Sequence, residues 1–330
     1  MRIRLALVIA IVAGLVAAGC GDDEGGGDGG AQPFTVALDF YVNPDHAGLF
    51  TAVDRGYFEH AGLDVDTVVP SDPSAPIRQV AADRVDLAIS YEPEVVLARD
   101  QGLPVTAVAA VVPTPLTSMI WLGDSGITGV EDLGGTTIAT AGIPYQAAFL
   151  DEILGRAGLS ADDVDQVDVG LGLLPALLSG RADAMLGGYL NVEGVDLRER
   201  ERDPVVTPVD RLGIPTYDEL VLVANPDRIA DDPEPIRGFV AALARGTRAA
   251  VADPAAATRS VLEHGDGLEP DLTRAEVDRT LPLLARHDGN TYGYMDPAAW
   301  DRFAAFFADR GLTDEQLSSD DLLTNELLGD

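Results

Sequence analysis

The order of apolar segments predicts an α/β protein of two like lobes, each a mostly parallel sheet covered by helices. Three observations carry this. Strand and helix patterns alternate from residue 34, the same order begins again near residue 136, and beyond residue 227 the pattern is wholly helical. Helices alone cannot finish a second sheet, so the C-terminal helical region is expected to pack back on the first lobe. Lobe 1 is then 34–118 with 222–330, and lobe 2 is 119–221. The chain crosses between them twice, near 112–125 and 215–225, and a cleft lies between. A body of about 300 residues is too long for one small core.

The first unit opens with a strand at 34–41, "FTVALDFY". A helix over 47–59 follows, with Leu49, Phe50, Val53 and Tyr57 on one face. Residues 63–69 alternate as a strand, and 75–83 form a short helix started by Pro76. A buried strand at 85–91 leads to a helix at 93–102 that stops at Gly102. Strands at 105–112 and 118–122 close the unit. The second unit runs strand 136–140, helix 143–159 with Pro144 near its first turn, strand 164–169, helix 173–180 and strand 182–189. The junctions "DRVDLAIS" (83–90) and "GRADAMLG" (180–187) share the same order, with Asp86 and Asp183 just before an apolar strand. Such recurrence argues for two lobes of like topology. A strand at 217–227 leaves the second lobe, and helices follow at 233–253, 255–265, 274–286 and 297–312.

Residues 1–19 read as an export signal: Arg2 and Arg4, an apolar run from Leu5 to Val16, then small residues. The run is shorter than the roughly 20 residues that a membrane span needs. "AAGC" at 17–20 resembles a bacterial lipobox, which makes Cys20 the expected lipidation site. Residues 20–33 are dominated by Gly and Asp and behave as a flexible tether. An extracytoplasmic protein, lipid-anchored to the cell membrane, is the expected layout.

Lys and Arg number 22 against 55 Asp and Glu, for a net charge of −33. Such a chain repels nucleic acid and anionic headgroups. Cys20 is the sole cysteine, so neither an internal disulfide nor a cysteine metal site is possible. The four histidines, at 46, 60, 264 and 287, form no HxxxH pair, so no metal site is expected. Nucleophile elbows, Walker loops and GxGxxG turns are missing as well. No lysine occurs anywhere, which removes Schiff-base chemistry and covalent attachment of pyridoxal phosphate. No cofactor is expected.

Ligands of open parallel sheets bind beyond the carboxyl ends of the strands. Those ends supply Asp39, Phe40, Asn43 and His46; then Ser90 and Tyr91; then Pro144 and Tyr145; then Tyr189, Asn191 and Glu193. Aromatic faces, amides and a carboxylate or two suit a flat, neutral or weakly basic heterocycle. Each residue also has a structural reading. Asn43 before Pro44 fits a helix N-cap, His46 a capped first turn, Tyr91 and Tyr189 ring packing, and Glu193 a solvated carboxylate.

"LDFYVNPDHAGLFTAVDRGYFEHAGLDV" (38–65) resembles the opening of the SsuA/thiamin-pyrimidine-precursor-binding (THI5-like) family of ABC-transporter solute-binding proteins. Asp39, Asn43, His46, Gly48, Leu49, Gly56, Tyr57 and Phe58 match its pattern. Residues 86–112 are similar to the family's Ser-Tyr segment, and "LLTNELL" (322–328) to its C-terminal Thr-Asn-Glu. The resemblance implies a type II periplasmic-binding-protein fold that closes on a small heteroaromatic solute and presents it to an ABC permease. A thiamin pyrimidine precursor, formylaminopyrimidine or hydroxymethylpyrimidine, is the implied solute, and a monomer is expected. Phe40 stands where the family has tryptophan, Val42 where it has proline, and Pro44-Asp45 where it has Thr-Asn.

Relatives binding riboflavin, other heterocycles or sulfonates supply the alternative within that class. The same resemblance brings in an enzyme, the eukaryotic pyrimidine synthases. These use pyridoxal phosphate, a histidine in this motif and a cysteine-rich iron motif, and the missing lysine disfavours that reading. A sensory lipoprotein on the same clamshell is the third class.

Overall fold

The computed structural model describes residues 30–285 and 291–329; the signal segment, Cys20 and the tether before Gly30 lie outside the described residues. Residues 31–330 belong to one compact unit. Two five-stranded sheets organise it. The first holds β1 (Gln32–Ala37), β2 (Leu63–Val68), β3 (Leu87–Ser90), β4 (Thr106–Val112) and the late strand β10 (Leu220–Ala224), in the order β2-β1-β3-β10-β4. The second holds β5 (Thr117–Leu122), β6 (Thr137–Thr140), β7 (Asp165–Asp168), β8 (Ala184–Tyr189) and β9 (Pro204–Pro208), in the order β7-β6-β8-β5-β9.

The two orders are the same once β6 is matched to β1. In each, three parallel strands are followed by one antiparallel strand that has crossed from the other half of the chain. The sheets are therefore mixed: four strands run one way and the crossed strand runs against them. The repeated aspartate does the same work in both. Asp86 Oδ2 accepts the backbone N–H of Thr35 at 2.7 Å, and Asp183 Oδ2 that of Thr137 at 2.8 Å. Each carboxylate thereby pins the register of the strand it precedes, β3 or β8, against β1 or β6.

Several bounds differ from the sequence expectation. Strand β1 begins at Gln32, within the expected tether, and ends at Ala37, because the chain bends at Asp39–Val42. Helix α1 (Ala47–Asp54) stops early, and Gly56 then takes a left-handed φ of 65°. The expected strand at 217–227 is β10 only, with α7 (Pro226–Asp231) started by Asn225 and Pro226. Strand β9 was not foreseen, since its Pro-flanked, half-exposed sequence follows a charged run. Sheet membership changes within 113–116 and again within 209–219, just outside the 118/119 and 221/222 boundaries expected from sequence.

Helices α2 (Ala75–Ala81) and α3 (Glu92–Asp100) pack with the first sheet. Helices α4 (Pro144–Arg156), α5 (Leu173–Leu178) and α6 (Glu193–Glu199) pack with the second. The C-terminal helices are not confined to the first half as expected. Helices α8 (Glu234–Ala252) and α9 (Pro254–His264) lie on α1, but α10 (Pro270–Leu284) also meets α6. Helix α11 (Pro297–Asp309) turns Phe303 and Phe307 onto Phe149 of α4. Arg310 adds a bond to Glu152 at 2.8 Å.

Helices α1 and α8 approach closely because glycines face each other at their crossing. A β-carbon on Gly246 would run into the Gly48 carbonyl and lie 2.6 Å from the Ala52 β-carbon. Neither backbone can yield without moving a helix. Gly246→Ala is expected to lower the unfolding free energy by about 1–3 kcal/mol, read as a lower urea midpoint; an unchanged midpoint would show that the crossing is slack.

Candidate functional site

The site grows from the bend after β1. Asn43 is extended, at φ −148° and ψ 175°, and caps a 3-10 turn over Pro44–His46. Its Oδ1 accepts the Asp45 N–H at 2.8 Å, and its Nδ2 donates to the Tyr41 carbonyl at 3.0 Å. The Asn43 N–H donates to His46 Nδ1 at 3.2 Å. That assigns the histidine tautomer: with Nδ1 an acceptor, Nε2 carries the proton and donates to Asp39 Oδ1 at 2.9 Å. The other Asp39 oxygen accepts the Tyr91 hydroxyl at 3.1 Å. The polar crowding of residues 43–46 is thus largely spent on fixing one carboxylate, Asp39, itself 1% exposed.

Asp45 extends the network across the molecule. Asn191, fully buried after β8, donates through Nδ2 to Asp45 Oδ1 at 2.8 Å and to Thr280 Oγ1 of α10 at 2.8 Å. Burial pushes the Asp45 carboxyl well up, with the Asp39 charge adding to it, against the Asn191 bond. A second tie joins the two crossings. Glu219 Oε2 accepts the N–H groups of Leu116 and Thr117 at 2.6 and 2.8 Å, and Thr117 Oγ1 donates to Oε1 at 2.8 Å. The Tyr217 hydroxyl adds a bond at 3.1 Å. Glu92 accepts the Asp218 N–H at 2.7 Å, and Trp300 Nε1 donates to Asp218 at 2.8 Å.

Between these ties lies a cavity of about 300 Å³. Phe40, Tyr91, Tyr145 and Tyr189 give it aromatic faces, and Asp39, Glu193, Asp196, Glu269 and Glu276 give it carboxyls. Arg200 is the one cation on its wall among the described residues, and it is held by Asp196. Glu193 Oε2 accepts the Tyr189 N–H at 2.7 Å, and burial pushes its carboxyl up. Gly187, at φ 114°, makes room for Gln146, since a β-carbon would lie 2.5 Å from Gln146 Nε2. Among the described residues no group of His, Cys, Asp and Glu could hold a metal.

Of the residues singled out from sequence, Asp39, Phe40, Asn43, Tyr91, Tyr145, Tyr189 and Glu193 line this cavity. Four do not. His46 is buried behind Asp39; Ser90 donates to Glu94 at 2.6 Å; Asn191 is the cross-tie; and Pro144 is an exposed first residue of α4. Cys20 lies outside the described residues. Missed from sequence were the α10 side, with Leu272, Thr273 and Glu276, and the α6 pair Asp196 and Arg200. The i, i+4 spacing of Asp196 and Arg200 was a usable signal; nothing local marked α10.

The family model described as "NMT1/THI5 like" matches residues 43–257, a segment that starts at the capped turn and ends in α9. The chain belongs to the NMT1/THI5-like family. A formylaminopyrimidine-binding protein of Halalkalibacterium halodurans is 32% identical over 325 residues, covering 97% of each chain. A 4-amino-5-hydroxymethyl-2-methylpyrimidine phosphate synthase of Aspergillus parasiticus is 29% identical over 263 residues, 76% of each. The alkanesulfonate-binding protein SsuA from Xanthomonas axonopodis pv. citri, solved with MOPS, has a TM-score of 0.71 at 16% identity, covering 89% of this chain and 98% of that one. That likeness is one of fold, the type II periplasmic-binding-protein fold. Among the described residues no helix is long and apolar enough to cross a membrane.

The buried acids of this family member carry a pH signature. Burial above all pushes Glu94 and Asp218 up to about 7 and Glu276 up to about 8. Unfolded, such groups ionise near 4. Between those values the native state holds more protons than the unfolded chain, so stability falls as pH rises. Carboxyls held low, such as Asp72 by Ser74 and Glu152 by Arg310, are ionised in both states over that range and do not oppose it. The thermal midpoint of ligand-free protein is expected to fall by roughly 5–10 °C between pH 5 and pH 8; a midpoint that rises over this range would contradict the buried, proton-holding carboxyls.

Proposed function

We propose that this protein is the solute-binding component of an ABC importer, capturing a thiamin pyrimidine precursor such as formylaminopyrimidine or hydroxymethylpyrimidine. In this reading the two sheets head two lobes, 34–118 with 222–330 and 119–221. The crossings tied by Glu219 form the hinge. Solute bridges Phe40 and Tyr91 on one side and Tyr145 and Tyr189 on the other, and stabilises the closed state by that difference in contacts. The closed receptor, a monomer tethered outside the cell through lipidated Cys20, presents its solute to the permease subunits.

The observation that carries this reading is the acid-rich, aromatic cavity whose single arginine among the described residues is already paired. Such a wall repels sulfonate or nitrate, and accepts hydrogen bonds from an aminopyrimidine stacked on tyrosine. Its volume sits at the low end of the about 300–1,000 Å³ usual for small-molecule pockets, which favours one ring with short substituents over a riboflavin. The Halalkalibacterium relative supports the same solute class through its name and its full-length match. The synthase relative covers less of the chain, and its chemistry has no lysine to use here.

A thermal-shift screen of the purified protein is expected to show its largest stabilisation with formylaminopyrimidine or hydroxymethylpyrimidine and none with taurine or nitrate; stabilisation by an anion would sink the reading. Tyr189→Ala is expected to raise the dissociation constant of the bound pyrimidine by about tenfold, ~1.4 kcal/mol, in a calorimetric titration. Asn43→Ala, by contrast, should cost about 1 kcal/mol of stability, since both its side-chain groups serve the turn.

A further inference from the structure

Helix α10 closes the cavity from a direction that no strand end supplies. Its Glu276 is 6% exposed, lines the cavity, and has no hydrogen-bond or ion-pair partner among the described residues. Every other acid buried to that degree around the cleft has a neutral donor: Asp39 has His46 and Tyr91, Asp45 has Asn191, and Glu219 has Leu116 and Thr117. The charged groups acting on Glu276 are Glu193 and Asp196 from α6 and Asp45 from the capped turn, all acids. Asp39 and Glu269 also stand on the cavity wall, and the wall's one cation among the described residues, Arg200, is taken by Asp196. A buried carboxyl among acids, with no donor to stabilise its charge, keeps its proton.

We propose that Glu276 is a solute-contacting, specificity-determining residue of this cavity, acting from α10 as a neutral carboxyl. Its O–H donates to an acceptor on the bound heterocycle, a ring nitrogen or a carbonyl or hydroxyl oxygen. The proposal rests on the pyrimidine-receptor reading and deepens it. The acids that accept from the protein hold an amino group at one edge of the ring; Glu276 supplies the opposite polarity at another. Burial, helped by the charges of Glu193 and Asp196, pushes its ionisation up to about 8. Binding that needs the proton is therefore full below that pH and is lost above it. The tyrosines facing the cavity are also pushed up by burial, beyond 10, and do not titrate in this range. A permanently cationic solute would invert the dependence, since it gains from the ionised carboxylate.

Calorimetric titration of the full chain with formylaminopyrimidine, from pH 6 to pH 9.5, tests this. Wild-type affinity should hold to about pH 7 and weaken about tenfold by pH 9 to 9.5. Glu276→Ala should weaken binding about tenfold at pH 7 with no further fall at high pH. Glu276→Gln, whose amide still donates but cannot ionise, should recover most of that loss and also show no fall. Both variants should keep the wild-type melting temperature or exceed it, because a buried acid has been removed. Wild-type affinity that rises with pH, or a glutamine variant as weak as the alanine one, would show an accepting carboxylate and overturn the proposal. Wild-type binding that neither variant alters would overturn it alone. Failure of the wild type to bind pyrimidines at all would overturn the receptor reading, and this inference with it.

Discussion

Carboxyl groups taken out of water in a chain with few cations set the terms for this structure. An isolated buried carboxylate is costly, and the usual remedy is an arginine or lysine. Here lysine is absent, and acids outnumber arginines more than twofold. The buried acids are served instead by neutral donors: an imidazole and a phenol for Asp39, two backbone N–H groups and a threonine for Glu219, an indole for Asp218, an amide for Asp45, a serine for Glu94. Several of these bonds join segments more than 80 residues apart, so the same interactions that make the acids tolerable also lock the two sheets and the C-terminal helices together.

The cleft follows from this arrangement. Where donors suffice, an acid becomes a structural tie. Where they run out, at Glu276 of α10, an acid faces the open volume of the cavity. The cavity is rich in carboxyls and walled by aromatic rings. The one cation on its wall among the described residues, Arg200, is already held by Asp196. The distant sulfonate-binding likeness therefore speaks to the frame and not to the cargo, and one frame hosts unlike sites.

Much of the frame is visible in the sequence because its signals are local. The alternation of β1 through β4 shows in apolar periodicity, and the paired Asp86 and Asp183 announce the internal repeat. Strand ends point to the cleft, and seven of the residues they mark line it. Less legible is what depends on distance. His46 and Asn191 look like ligand contacts by position, yet neither lines the cavity: His46 sits behind Asp39 and Asn191 ties Asp45 to Thr280, and sequence spacing does not distinguish the two sides. The α10 wall comes from a helix more than 200 residues after Asp39, whose own pattern is that of an ordinary amphipathic segment. Strand β9 escapes notice because an edge strand flanked by prolines has little apolar signature.

The most direct test of the whole account is a crystal structure of the protein with formylaminopyrimidine. The account predicts the ring between the aromatic faces of Phe40, Tyr91 and Tyr189, with its amino group within hydrogen-bonding distance of a cavity carboxylate. A ring lying elsewhere, or in this cavity with its amino group directed away from every carboxylate, would contradict it.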